Sequence, residues 1–300
     1  MSELFVEGLK GPFDLSSDRK REAQYFLMDT RYIHFGLNGK RLGTESYLLK
    51  LQYIPKTSSG ENVDEYRCSE LQIQTNDCAP VTIPQLRNWT YVFNPALSAP
   101  GMLWGIPQDK FIKITDSVGN VLPFSVRYAI YINFIDFHSI NNIFSRPMKF
   151  GKGIQDLKEV GQRIVHPATF MEAPVNFGAE IKPGSIFQNG KVSLELKGIS
   201  IIEGAPCAII AYDAGESKLK MILPISIDQE SVTEGGSQYM GDIYVDLTTR
   251  FVRKATLDEY MVTETIATNQ RSKTNEFTTR HILLRLVGQK EFYTGILIGQ

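Results

Sequence analysis

The sequence has little of the chemistry by which enzymes and metal proteins are usually recognised. It contains three cysteines and four histidines in 300 residues, and no two cysteines form a CxxC pair. The histidines are widely spaced, so no HExxH or HxH pattern occurs: His34, His138, His166 and His281. Because zinc sites need such ligands at short fixed spacings, we predict a protein without a metal or other cofactor. A site assembled across distant strands is the alternative.

Signature loops of common enzymes are also absent from the sequence. There is no GxSxG elbow and no GxGxxG motif after a strand. Carboxylates are dense over residues 242–264, but Asp242 and Asp246 fall on a polar strand face. Basic side chains that follow can form cross-strand ion pairs with them: Arg250, Arg253 and Lys254. We therefore predict no catalytic residues and a protein that is not an enzyme.

Neither an excess of charge nor a long hydrophobic run is present. The formal net charge is -1, from 32 basic and 33 acidic side chains, which gives no electrostatic reason to expect nucleic acid as a partner. No apolar run approaches the length of a membrane-spanning helix, and MSELFVEGLKGPF lacks the regions of a signal peptide. We expect a soluble protein that does not span a membrane. It would be cytoplasmic as the chain stands, or periplasmic or envelope-located if an export signal was removed.

Alternation of apolar and polar side chains is the strongest pattern present. Ile243, Val245 and Leu247 point to one face of a strand, and their neighbours point to the other. Thr248–Arg250 then makes a tight reversal before a second alternating segment, which is typical of an antiparallel hairpin. A sheet with one polar face is antiparallel rather than parallel, so its other face must pack on something apolar.

The same alternation recurs through both halves of the chain. The turn dipeptide Asn38-Gly39 indicates a hairpin, and Asn-Gly-Lys recurs at 189–191, through either duplication or coincidence. Further alternating segments occur at 46–54, 66–75, 110–115, 121–130, 192–197 and 277–287. The sequence predicts a mainly β fold in which antiparallel meanders form two curved sheets or half-barrels, with few short helices. One would lie in residues 1–150 and one in 151–300, unless the chain is one continuous domain.

Residues 128–144 are the most aromatic segment and fit two patterns. As a strand, Ile130, Ile132 and Phe134 share one face. As a helix, the segment would align a stripe of Ile130, Phe134, Phe137 and Phe144. We predict a strand to about Ile135 followed by a turn of helix, lining either a cavity or the core.

Residues 79–109 are rich in proline and contain both tryptophans, Trp89 and Trp104. Because proline breaks long elements, we expect an irregular loop. Its large apolar side chains must either be buried over the end of the sheet or be offered to a partner.

The three cysteines leave the redox state open. Cys68 and Cys78 either lie opposite each other on a hairpin through residues 70–76 or are simply unpaired. Cys207 lies in an apolar run and is interpreted as a buried thiol.

The second half of the chain has a characteristic order of turns and strands. A turn at Asp213–Gly215 is followed by a strand, a loop at Gly235–Tyr239, a strand from Gly241 to Asp246 and a strand at Val252–Leu257. Over residues 185–290 this order resembles the lipoprotein-carrier-like half-barrel of bacterial envelope proteins. The resemblance implies a curved antiparallel sheet over helices or loops, binding an acyl chain or a partner protein without catalysis. The sequence departs from that pattern because no long helix is evident to fill the concave face.

We therefore predict a non-catalytic binding or carrier protein with an apolar concave surface for a lipid-like ligand or a partner segment. The alternative is a structural or interaction subunit of a larger assembly, which would use the tryptophan-containing loop and the sheet edges. The predicted partners are a lipid or apolar small molecule, or a protein, and not nucleic acid. The candidate ligand-binding residues are Trp89, Trp104, Tyr131, Phe134, Phe137, Ile243, Val245 and Met261.

Overall fold

One large, curved and open antiparallel sheet forms most of the computed structural model. The structure describes residues 11–58, 61–99, 101–116, 118–173, 181–226, 229–267 and 273–294. The long strands are β1 (Gln24–Gly36), β2 (Arg41–Ser58), β3 (Glu61–Thr75), β11 (Ser193–Ile202), β12 (Ala205–Ser226), β13 (Gln229–Asp246), β14 (Val252–Ala267) and β15 (Lys273–Val287). The short strands are β4 (Val81–Thr82), β5 (Trp89–Phe93), β6 (Met102–Leu103), β7 (Ile106–Pro107), β8 (Arg163–Val165), β9 (Glu172–Ala173) and β10 (Ile186–Gln188).

The order of strands joins the two halves of the chain in one sheet. The order is β4-β3-β2-β1-β15-β14-β13-β12-β10-β9. In addition, β5 pairs with β3, and β11 pairs with β12 and β8. β6 and β7 form a separate two-stranded sheet. The pairing of β1 with β15 runs from Tyr25 opposite Val287 to Gly36 opposite Glu276. The predicted mainly antiparallel, curved β fold with few helices is confirmed, whereas the domain division at residue 150 stays a prediction.

Two predicted hairpins are present at the positions that their turn residues indicate. β1 and β2 are joined through Asn38-Gly39, where Gly39 has a φ of 76°. β13 and β14 are joined through Thr248–Arg250. The second Asn-Gly pair instead separates β10 from β11, and both of these strands pair with β12.

A buried helix occupies the place where the sequence predicted strands. Residues Phe124–His138 form this helix, here called the central helix, and Ser139–Ile143 continue it as a π-helical turn. The predicted strand to Ile135 is therefore wrong. The alternating segments at 110–115 and 121–130 are not strands either, because a short helix (Asp109–Ile112), a single bridge from Thr115 to Val121 and the start of the central helix are found there. The central helix is buried around much of its circumference, so buried residues such as Tyr131 and Asn133 lie outside the predicted stripe of Ile130, Phe134 and Phe137.

The remaining helices are short. They are the α-helix Gln289–Tyr293 and the 3₁₀ turns Pro84–Leu86 and Ile154–Asp156. None of the helices in the described part of the chain has both the length and the apolar character needed to cross a membrane.

The core lies between the central helix and the concave face of the sheet. The Phe137 ring packs edge-on against Phe26 of β1, with 5.2 Å between ring centroids. Phe134 and Ile243 are fully buried in the same cluster. Complete burial of one such side chain stabilises the fold by about 1.5–3 kcal/mol, so the helix is an integral part of the core.

The cysteines are unpaired, and the hairpin proposed for two of them is wrong. β3 continues without a turn to Thr75. Cys68 is buried within that strand, opposite Leu51, whereas Cys78 is exposed after the strand has ended. Cys207 is buried, as predicted.

Gly241 is required because the Tyr212 side chain crosses over it. The Tyr212 hydroxyl donates a hydrogen bond to the Thr256 carbonyl at 2.7 Å. A Cβ on residue 241 would lie 2.0 Å from that carbonyl oxygen and 2.8 Å from the hydroxyl. We expect Gly241→Ala to lower the free energy of unfolding by about 1–3 kcal/mol, as measured by urea denaturation.

The control for this prediction is Gly288→Ala. Gly288 has no described atom within 4 Å of the position that a Cβ would take. Since it lies at the start of a surface helix, its replacement is expected to cost less than about 1 kcal/mol. Equal effects of the two substitutions would contradict the explanation.

Candidate functional site

The tryptophan-containing segment packs its aromatic rings against the core. Trp89 stacks on Tyr91 at 4.6 Å between ring centroids and contacts Phe134 edge-on at 5.5 Å. Trp104 contacts Phe93 at 6.2 Å. Both tryptophans are partly buried, so this segment covers the core, which was one of its two expected roles.

Five other candidate ligand-binding residues lie together inside the core. They are at most 2% exposed and come from the central helix and β13: Tyr131, Phe134, Phe137, Ile243 and Val245. Contact of these residues with a ligand stays a prediction, and it would require the central helix to move. The eighth candidate, Met261, is half-buried on β14.

The strand register aligns a row of polar and aromatic side chains across the concave face. Opposite one another on neighbouring strands lie Glu45, Tyr32, Arg280, Glu259 and Tyr239, here called the polar belt. Directly opposed residues of an antiparallel sheet share a face. The next row toward the core is largely apolar and contains Ile282 and Leu257. The belt therefore marks one border of the dry core.

Arg280 is held between two buried carboxylates. It donates a hydrogen bond to Asp136 of the central helix, and its Nε lies 2.8 Å from a Glu259 carboxylate oxygen. The guanidinium also lies 5.8 Å from the centre of the Tyr32 ring, at cation–π distance. The three charged side chains are only 8–12% exposed. A buried charge without a partner is costly, so this cluster fixes the helix on the sheet.

The charges in this cluster do not balance. Two carboxylates share one guanidinium, so the fully ionised cluster carries one excess negative charge. Burial raises the pKa of Asp136 to about 6, an effect that Arg280 opposes and Glu259 reinforces. Protonation of Asp136 would leave a neutral pair of Arg280 and Glu259.

Beyond the polar belt, the concave face has a mixed, half-buried surface. The rows there contain Leu219 opposite Gly235, Met221 opposite Thr233, and Met261 opposite Ser237. We call these positions, with Thr263 and Thr265, the distal concave surface. The Thr233 and Thr265 hydroxyls hydrogen bond at 2.8 Å. Leu219, Met221 and Met261 are each half-buried, so these apolar side chains keep part of their surface exposed.

His34 lies on β1 at the margin of that surface. Its Nδ1 is 2.5 Å from a Glu276 carboxylate oxygen and 3.2 Å from the Thr278 hydroxyl. The hydrogen bond with Glu276 raises the pKa of His34, against the effect of partial burial, and the negative charge of Glu45 adds to the rise.

The other histidines lie elsewhere. His138 is buried, with Nε2 at 2.8 Å from the Tyr91 hydroxyl and Nδ1 at 2.9 Å from Asn142 Oδ1. Burial lowers the pKa of His138 to about 3, so the ring is neutral. His166 accepts a hydrogen bond from the Ala168 amide, and His281 pairs with Asp258. Within the described ranges, no three His, Cys, Asp or Glu side chains are grouped as metal ligands.

Comparison with known proteins gives no family. No family model matches the sequence, and none of the curated proteins matches it. Among solved structures, the chain is similar to a DUF1329 family protein from Desulfovibrio piger, with 10% identity, 91% of this chain and 90% of that one covered, and a TM-score of 0.15. OpdK of Pseudomonas aeruginosa, solved with vanillate, gives 6% identity, coverages of 90% and 100%, and a TM-score of 0.20. For the outer membrane channel DcaP of Acinetobacter baumannii, the identity is 7% and the TM-score is 0.16. The similarity covers 91% of this chain and 100% of that one. At such TM-scores these likenesses carry no argument.

Proposed function

We propose that the protein is a non-catalytic binding or carrier protein that holds a lipid-like ligand, or an apolar partner segment, on the distal concave surface. The observation that carries this proposal is the position of the central helix. The helix packs on the concave face as far as the polar belt, where Asp136 meets Arg280. Beyond it, Leu219, Met221 and Met261 are left half-buried on the same face.

The side chains of this surface suit an acyl chain or an apolar peptide. Leucine and methionine supply apolar area, and methionine adapts to irregular shapes. The threonines contribute methyl groups while their hydroxyls can hydrogen bond to each other, as Thr233 and Thr265 do. The polar belt would then separate the ligand from the core, so that binding needs no movement of the central helix.

Binding is tested with a fluorescent fatty acid and with mass spectrometry of lipids extracted from the purified protein. We expect Met261→Asp to weaken binding of the fatty acid at least about tenfold, because a buried carboxylate would face the acyl chain without a partner. Val262→Asp is the matched control, since Val262 is the next residue on the opposite face and is 53% exposed. Equal effects of the two variants, or no binding and no extractable lipid, would contradict the proposal.

A ligand that displaced the central helix would contact the buried candidates Tyr131, Phe134 and Phe137 instead. Because Trp89 packs on Phe134, such a displacement would change the tryptophan fluorescence on binding. An unchanged spectrum with retained binding is expected if the distal concave surface is the site.

The second candidate function is that of an interaction subunit, and the convex side of the same strands favours it. Tyr260, Val262 and Ile266 alternate along β14 on that side and are 46%, 53% and 37% exposed. Neighbouring exposed apolar side chains are common at protein interfaces. For this function the two variants should behave in the opposite way to the fatty-acid test. Val262→Asp would abolish self-association or partner binding in sedimentation experiments, whereas Met261→Asp would not.

A further inference from the structure

A cleft of about 730 Å³ lies on the convex side of the sheet, away from the distal concave surface. Its walls come from β2, β3, the segment around β4 and the terminal helix Gln289–Tyr293. Among the described residues, three basic side chains and one acidic side chain line it: Lys50, Arg67, Arg87 and Glu70. None of these residues takes part in the proposed function.

The Glu70 carboxylate already has partners. Glu70 lies 3.2 Å from the ammonium of Lys50 and accepts a hydrogen bond from Gln72 at 2.9 Å. Burial would raise the pKa of Glu70, but the hydrogen bonds from Gln72 and Lys50 lower it, and the positive charges of Lys50 and Arg87 add to this effect. Lys50 is itself only 5% exposed. Lys50 and Glu70 therefore neutralise each other and form a fixed part of the wall.

In the described lining of the cleft, two positive charges remain beyond this pair. Arg67 is half-buried on β3, and Arg87 is exposed after the turn at Pro84–Leu86. Toward the described residues, neither guanidinium makes a hydrogen bond or an ion pair, whereas most of the other arginines do. A guanidinium presents paired N–H donors that match a carboxylate or a phosphate. The cleft thus offers two arginines for an anion.

The rest of the lining is apolar or weakly polar. Phe292 is buried beneath the cleft, while Tyr293 is 60% exposed at its side. Pro80, Val81 and Pro84 also line the cleft. An apolar body attached to the anion would therefore contact an aromatic ring and proline rings. Ligand pockets commonly combine such an apolar lining with a few convergent polar groups.

We propose that this cleft binds a small organic anion, in which a phosphate or carboxylate is held by Arg67 and Arg87 and an apolar body packs beside Tyr293. The site lies on the other face of the sheet from the proposed lipid-like ligand, so the two could be occupied together. Failure of one proposal leaves the other intact.

The test uses phenyl phosphate and phenylacetate as probes, measured by isothermal titration calorimetry at low ionic strength with the full chain. At least one probe is expected to bind, and the benzyl alcohol control, which lacks a charge, is expected not to. The double substitution of Arg67→Gln and Arg87→Gln should weaken binding at least about tenfold, because it removes both sets of paired N–H donors that would hold the anion. Added salt should weaken binding of the wild type.

The matched control is Arg31→Gln, which removes an exposed arginine from the same convex face, outside the cleft lining. It is expected to leave binding unchanged. All three arginines are at least partly exposed, so each variant is expected to keep the fold, which thermal unfolding checks.

Binding of only phenyl phosphate would identify a phosphate site, and binding of only phenylacetate a carboxylate site. The proposal is overturned if neither anion binds at millimolar concentration, if benzyl alcohol binds equally well, or if Arg31→Gln weakens binding as much as the double substitution.

Discussion

Replacing Arg280 with methionine is expected to destabilise the protein by about 3–5 kcal/mol at neutral pH. The substitution removes the shared partner of Asp136 and Glu259 and leaves two carboxylates facing each other in a site where the side chains are 12% and 10% exposed. The loss comes from these uncompensated charges more than from the lost ion pairs. Urea denaturation at pH 7.5 measures it as a lower transition midpoint.

Two comparisons separate this explanation from a general sensitivity of β15. Arg285 lies on the same strand but faces the convex side, where it pairs with Glu291 at 3.5 Å and both side chains are more than a third exposed. Arg285→Met is expected to cost less than about 1 kcal/mol. Adding Asp136→Asn and Glu259→Gln to Arg280→Met should recover much of the lost stability, because the cluster is then uncharged. A single Arg280→Met variant as stable as Arg285→Met would contradict the account.

Asp136→Asn is expected to make the protein more stable at pH 8 and to change little at pH 4. The pKa of Asp136 is raised to about 6 in the folded protein, against about 3.9 in an unfolded chain. Between these values the folded state binds more protons, so the stability contributed by Asp136 is present at low pH and is lost as the pH rises through 6. Asparagine has no such titration and keeps an oxygen that can accept the hydrogen bond from Arg280.

The size of the effect follows from the difference between the two pKa values. About two pKa units correspond to about 3 kcal/mol, which is an upper value because the variant also loses the attraction between Asp136 and Arg280. The measurement is the free energy of unfolding of both proteins from pH 4 to pH 8. A difference that is constant over that range, or that favours the wild type at pH 8, would show that Arg280 holds Asp136 ionised.

Strands with one solvent-exposed face were predictable from the sequence, because the residues that indicate them lie within the strand or in the adjoining turn. The alternation around Ile243 and the turn residues at Asn38-Gly39 and Thr248–Arg250 each specify a structure within a few residues. The pairing of β1 with β15 has no such local sign. It depends on the complementarity of surfaces that lie some 250 residues apart along the chain.

The central helix was missed for a physical reason. A helix enclosed by a curved sheet is apolar on several sides, and its residues then resemble those of a buried strand. The stripe that includes Phe134 and Phe137 was visible, but the periodicity alone did not decide between the two structures. A helix does lie on the concave face, but the turn at Asp213–Gly215 and the loop at Gly235–Tyr239, on which the resemblance rested, lie within β12 and β13.

The sequence gives evidence for one member of the polar belt, Arg280. Arg280, Ile282 and Leu284 are alternate residues of β15 and therefore lie on the same face of the strand, so the alternation places a charged residue on the apolar face. Its partners were not readable, because Asp136 lies on a different element, 144 residues away. Of the eight candidate ligand-binding residues, the structure places Met261 on the distal concave surface, and five of the others are in the core.

The adjacency of β1 and β15 has a consequence for biosynthesis. During translation, β1 leaves the ribosome long before β15 exists, so one side of β1 has backbone amides and carbonyls with no strand to receive them. Contacts between such distant segments slow folding, because a long loop must close before they form. We therefore expect nascent chains that end before residue 273 to resist proteolysis poorly, and their open strand edges to make them prone to aggregation.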